Sequence, residues 1–157
     1  MALLAQVNVA VPRAPLDDPL MAGFANAFDA VARLAETAPG FVWRLGAESG
    51  PGHPVLTGAA GGGGNLVVNV SVWRDYRSLH EFTYRSVHGQ FLLRRRRWFA
   101  AGPQPSTALW WVADQERPGV EPALARLRFL RTHGPSPQAF SLLRQFAEDG
   151  RPLRRSR

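Results

Sequence analysis

NLVVNVSVW, residues 65–73, decides the fold. Leu66, Val68, Val70 and Val72 fall on one side of the run, and Asn65, Val67, Asn69, Ser71 and Trp73 on the other. That period of two is what a β-strand imposes on its side chains. LLAQVNVAV, residues 3–11, repeats the pattern, with Ala5, Val7, Val9 and Val11 set against Leu4, Gln6, Asn8 and Ala10. Each strand therefore has a valine-rich face and a mixed face carrying amides, a hydroxyl or a tryptophan. The mixed face is too apolar to be left in water and too polar for a dry core. The valine faces are expected to pack on helices. The mixed faces are expected to be covered by a second subunit that encloses a cavity, which makes a homodimer the economical arrangement.

Working outward, Asp17 or Asp18 before Pro19 starts a helix, with Leu20, Met21, Phe24, Phe28, Val31 and Leu34 at helical spacing and Pro39-Gly40 as its stop. FVWRL, residues 41–45, reads as a second strand. Residues 46–65 are rich in glycine and proline and read as a long mobile connection. Gly61, Gly62, Gly63 and Gly64 lead into a strand with no following G-K-[ST], so they are not a phosphate loop. Asp75 or Ser78 can cap a second helix over about residues 77–98. ALWWVADQ, residues 108–115, is a fourth strand that sends Trp110 and Trp111 to opposite faces, and a third helix runs from Pro118 to Gly134. AFSLLRQF, residues 139–146, is a strand or a short helix, with strand favoured after GPSPQ. The order predicts an α+β fold: a ferredoxin-like split βαβ repeat, with an antiparallel sheet and helices on one face. Residues 1–150 form the single domain, and 151–157 a basic C-terminal tail that is expected to fray.

The formal charge of +7 comes from 19 arginines, with no lysine. Arg94, Arg95, Arg96 and Arg97 supply four charges and the C-terminal RPLRRSR four more, which leaves 7 − 8 = −1 for the remainder. Four consecutive helical residues step about 100° apart and cannot all face one ligand. They suit the negative end of a helix better than a nucleic-acid surface, which needs basic residues spread over a face. The sequence has no cysteine, no H-x-H, H-E-x-x-H or G-x-S-x-G, and no apolar run near the roughly 20 residues of a membrane span. His53 and His133 have no partner at ligand spacing, so a dedicated zinc site is not expected. Asp17 and Asp18 read as helix caps. The first residues lack the flanks of a signal peptide, and a cytoplasmic protein is expected, with no nucleic-acid or membrane partner.

AQVNVA, PLDDPLMAGF, PGFVWRL, NVSVW, FTYRSVH, RRRRWF, LWWV and RTHGP, taken in order, resemble a bacterial domain-of-unknown-function family of the dimeric α/β-barrel superfamily, which includes antibiotic-biosynthesis monooxygenases. The resemblance spans about residues 3–146. It implies a ferredoxin-like fold and a dimer whose sheets close into a barrel. It brings two chemistries, since some relatives oxidise aromatic substrates with no cofactor and others bind heme between sheet and helices through a histidine. Asn8 matches a first-strand asparagine of the heme-degrading type, and Phe82 stands where that type has a tryptophan. Its ligand histidine lands on Leu92, with His88 one helical turn earlier.

On a helix, His80, Tyr84, His88, Phe91, Leu92, Arg95 and Trp98 form one stripe. Gly89, beside His88, costs about 1 kcal/mol against alanine in a helix and invites the close approach of a flat ligand or another backbone. In the leading reading His88 is the axial ligand of heme iron, Phe91 and Leu92 flank the cofactor, and Arg95 meets its propionates. Asn8 then acts on bound oxygen, and Gln6, Asn69, Ser71 and Trp73 shape the substrate pocket of a redox or oxygenase-type tailoring enzyme. A second reading is a cofactor-free monooxygenase or cyclase, with His88 as base and Tyr84 as its partner. A third is a non-catalytic protein that binds heme or a small ligand. The same spacing also fits a core histidine, and Gln6 and Asn8 also fit strand-edge or dimer contacts.

Overall fold

The computed structural model describes residues 1–46, 55–58, 65–85 and 95–154, with the backbone alone at 55–58, 65 and 85. Strand β1 (Ala2–Pro12) pairs antiparallel with β4 (Asn65–Trp73), so that Gln6 lies opposite Ser71 and Asn8 opposite Asn69. Beyond β4, β2 (Phe41–Arg44) and β3 (Val55–Gly58) lie end to end along its two halves. Along the other edge of β1, β6 (Thr107–Ala113) and the short β5 (Phe99–Ala100) do the same. Four strand positions result, ordered β2/β3, β4, β1, β6/β5, all antiparallel. With helix α1 (Ala22–Thr37) after β1 and α2 (Tyr76–Arg85) after β4, this is the α+β ferredoxin-like split βαβ arrangement.

Four helix boundaries follow the local chemistry read from the sequence; of the helix expected over about 77–98, residues 76–85 and 95–98 are helical and 86–94 lie outside the described residues. Asp18 accepts a hydrogen bond from Leu20 N at 2.9 Å and opens the 3₁₀ turn Pro19–Met21 that leads into α1. Gly40, at φ 83°, turns the chain into β2 in a conformation that favours glycine. Asp75 accepts Ser78 N at 2.8 Å and caps α2. Helix α3 (Val120–His133) ends at Gly134, φ 75°, whose N–H reaches Leu130 O.

The two faces of the sheet are covered differently from the expectation. Helices α1 and α2 lie over the mixed face: Met21 and Phe24 pack with Val67 and Phe99, while Ala35 and Leu79 pack with Leu4 and Trp73. The chain's own helices thus stand where a second subunit was expected to cover this face. The valine-rich face instead receives α3, whose Ala123, Leu127 and Leu130 bury Val7, Val70, Val72 and Trp110. Helices therefore stand on both faces, α1 and α2 on one and α3 on the other. Trp110 and Trp111 point to opposite faces as read from the strand alternation.

Three connections differ from the sequence reading. Within the predicted connection, residues 55–58 form strand β3, because Val55, Leu56 and Thr57 take the edge of β4 that β2 leaves unpaired, and residues 47–54 and 59–64 lie outside the described residues. Residues 139–146 are not a strand: Phe140 exchanges two 2.8 Å hydrogen bonds with Leu109, and then the Ser141 hydroxyl accepts Arg144 N and turns the chain away. Residues 151–153 of the tail are tied down, with Leu153 N on Gln145 O at 2.8 Å and Pro152 bridged to Phe146. Among the described residues no helix is long and apolar enough to cross a membrane.

Candidate functional site

A cavity of about 340 Å³ lies between the mixed face of the sheet and helices α1 and α2. That is at the small end of the range of cavities that hold organic ligands. Strand register arranges its floor in rows. One row is Leu4–Trp73–Phe41, the next Gln6–Ser71–Arg44, and the third Asn8–Asn69. Apolar side chains from the helices form the roof: Phe24, Phe28, Val31 and Ala35 from α1, and Leu79 and Phe82 from α2. Trp73 is 1% exposed, stacked on Phe82 at 5.2 Å and met edge-on by Phe41 at 5.4 Å. Such ring pairs add packing energy beyond the area they bury and hold the wall rigid.

The polar groups on the floor are joined. Asn8 Nδ2 donates to Gln6 Oε1 at 3.2 Å, and Gln6 Nε2 donates to Ser71 Oγ at 2.7 Å. Trp73 Nε1 donates to the same Ser71 Oγ at 2.9 Å. A serine hydroxyl has two acceptor sites and one donor. Both acceptor sites are taken, so the Ser71 O–H is what remains for a ligand. The whole chain of groups stands on one cavity wall, in surroundings where hydrogen bonds are stronger than in water.

The rim is aromatic and basic. Tyr76 Oη lies 3.3 Å from His80 Nδ1, and the His80 ring packs on Tyr84 at 4.4 Å. His80 and Tyr84 are exposed, Tyr84 at 62%. Arg95 lines the same opening; with Arg96 and Arg97 it is exposed in the helical turn 95–98, and Arg94 lies outside the described residues. Of the residues singled out in the sequence, Gln6, Asn8, Asn69, Ser71, Trp73, Tyr84 and Arg95 line one cavity. His88, Phe91 and Leu92 lie outside the described residues, as does His53. His133 is exposed against Phe129, away from the cavity.

A heme needs an iron ligand inside the cavity. The only imidazole among the described lining residues is His80, exposed at the rim beside Tyr76, and His88, the residue read as the heme ligand, lies outside the described residues. Among the described residues no group of His, Cys, Asp and Glu could hold a metal ion.

Sequence reading missed Arg44, which lines the cavity although its residue is 5% exposed. Phe41 and Arg44 are three apart, so strict alternation would send them to opposite faces. A β-bulge places one extra residue, Val42, between the pairs Phe41–Trp73 and Trp43–Val72. Beyond the bulge the alternation resumes one step out of phase, and Arg44 joins Phe41 on the cavity face. Its Nε donates to Glu36 Oε1 at 2.8 Å. Phe24, Phe28 and Val31 were legible as an apolar helix stripe, but nothing in the stripe marks it as a cavity roof rather than core.

Solved structures resemble the chain at low identity. The cofactor-independent oxygenase SnoaB from Streptomyces nogalater superposes with a TM-score of 0.48 at 18% identity, over 76% of this chain and 100% of that one. Rv0793 from Mycobacterium tuberculosis gives 0.47 at 14%, over 74% and 99% of the two chains. NE2512, a protein of unknown function from Nitrosomonas europaea, gives 0.49 at 11%, over 76% and 98%. No curated protein matches the chain. Residues 3–156 match the family described as Domain of unknown function (DUF3291), and the chain belongs to that family.

Proposed function

We propose that this chain is a small-molecule enzyme that oxygenates a flat aromatic substrate in the cavity without a bound cofactor. The observation that carries the reading is the joined polar row Asn8–Gln6–Ser71–Trp73, set into a wall of stacked rings. A methylene conjugated through fused aromatic rings to a ketone carbonyl, as in an anthrone, fits both parts. Loss of a proton from the CH₂ gives an anion whose charge spreads onto the carbonyl oxygen. The anion passes its electrons to O₂, and the CH₂ becomes C=O with release of one water. The substrate supplies both electrons, so no external reductant enters. In this reading the Ser71 O–H and the remaining Asn8 amide N–H are the donors to the developing oxyanion, the kind of preorganised donor that favours the transition state. His80 carries the only imidazole among the described lining residues, and imidazole is the commonest general base. The same reading takes the working unit to be a homodimer, which sedimentation measures directly.

An oxygen electrode with anthrone as substrate tests the reaction. The expected result is one O₂ consumed per anthrone, with kcat/KM lowered about 10²–10³-fold in Asn8→Ala, the usual effect of removing one oxyanion donor. Oxygen uptake equal to the protein-free blank across a panel of anthrones would sink the proposal.

A further inference from the structure

Arg44 is the one cationic side chain in the deep wall among the described residues, and the oxygenation chemistry above makes no use of it. A guanidinium keeps its charge in proteins, so enclosing it is unfavourable unless its donors are matched. The match here is partial. Nε meets Glu36 at 2.8 Å, but Glu36 leans towards solvent, its side chain 41% exposed against 6% for Arg44. Nη1 and Nη2 carry four further N–H groups, and no described residue accepts from them. Every fully buried side-chain nitrogen and oxygen among the described residues has a partner, so the two Nη atoms are not sealed in. For a residue that lines the cavity and is otherwise enclosed, the cavity is what reaches them.

We propose that Arg44 is a carboxylate anchor, and that the substrate class of this cavity is the aromatic carboxylic acids. The inference rests on the reading of the cavity as a small-molecule site. With Nε held by Glu36, the end of the guanidinium fork is left to bind a carboxylate through Nη1 and Nη2, the paired geometry that suits a planar anion. Arg44 shares its cross-strand row with Ser71 and Gln6, and the next row carries Trp73 and Phe41. A ring system stacked along the Trp73 wall thus carries its carboxylate to Arg44 and its oxygen to the Ser71 donor. A single deep cation favours one singly charged planar group over a phosphate, which takes more donors. Arg95, at the exposed rim, is not part of this row.

Calorimetric titration with 2-naphthoic acid and with its neutral isostere 2-naphthamide, at pH 7, tests the anchor. The wild-type chain is expected to bind the acid more tightly by roughly ten- to a hundredfold, the worth of one charge-assisted pair. Arg44→Met is expected to bring the two affinities within about threefold. Glu36→Gln keeps the fork and is expected to preserve or increase the preference, which keeps the test decisive where Arg44→Met does not fold. Equal binding of acid and amide by the wild-type chain, or a preference that survives Arg44→Met, would overturn the anchor while leaving the cavity reading intact. Binding of neither compound would overturn both.

Discussion

Replacing Ser71 by alanine removes the acceptor on which two donors converge, and the structure sets the size of the effect. Trp73 Nε1 lies 2.9 Å from Ser71 Oγ in a residue that is 1% exposed against 4% for Gln6, so its N–H is the less open of the two to a replacement water. A buried donor left without a partner costs about 1–3 kcal/mol. Gln6 Nε2 loses its 2.7 Å bond as well, but Gln6 lines the cavity, where water can substitute at little cost. The expected loss is therefore about 2 kcal/mol, nearly all from the indole N–H. For a chain of this length that lowers Tm by about 4–8 °C. The assay is thermal and urea unfolding of Ser71→Ala, Trp73→Phe and the double variant. If the orphaned indole is the cause, removing its N–H relieves it, and the double variant is more stable than the sum of the single losses by about 1–2 kcal/mol. Strictly additive losses, or a Tm unchanged in Ser71→Ala, would refute the hydrogen-bonded floor as described.

Other perturbations separate packing from backbone and charge. Phe24→Ala opens the roof where Phe24 packs against Phe28, Trp98 and Phe99, and is expected to cost about 3–5 kcal/mol in chemical denaturation. A smaller loss, under about 1 kcal/mol, would mean that the roof collapses freely onto the cavity. Gly40→Ala places a Cβ at φ 83° against the Ser78 side chain and is expected to destabilise by about 1–3 kcal/mol; a neutral result would show that the turn into β2 relaxes. Asp149 is held below the usual carboxylate range by hydrogen bonds from Arg151 N and Nε, so its folded pKa lies under its unfolded one. Its contribution is present above the unfolded value and is lost as the pH falls through the folded one. A carboxyl-carbon NMR titration should give a low midpoint that rises only part of the way to the ordinary range in Arg151→Ala, because the backbone N–H of residue 151 remains.

Much of the fold was legible because strands and helix ends are governed by neighbours in sequence. The alternation of residues 3–11 and 65–73, the caps Asp18 and Asp75, and the stops at Gly40 and Gly134 are local facts of backbone geometry and hydrogen bonding. So is the mixed character of the face that carries Gln6, Asn8, Asn69, Ser71 and Trp73, which already marked it as a cavity wall. What covers each face was not legible, because burial depends on which distant helix arrives. Both faces are apolar enough to attract one, and tertiary packing gave α1 and α2 to the mixed face and α3 to the valines. Residues 139–146 have the composition of a strand, yet only Phe140 finds a partner, at Leu109, before Ser141 turns the chain away. Arg44 shows the division most clearly. Periodicity alone sets it opposite Phe41. A single extra residue in the pairing of β2 with β4, a property of two strands together, turns its charge into the cavity.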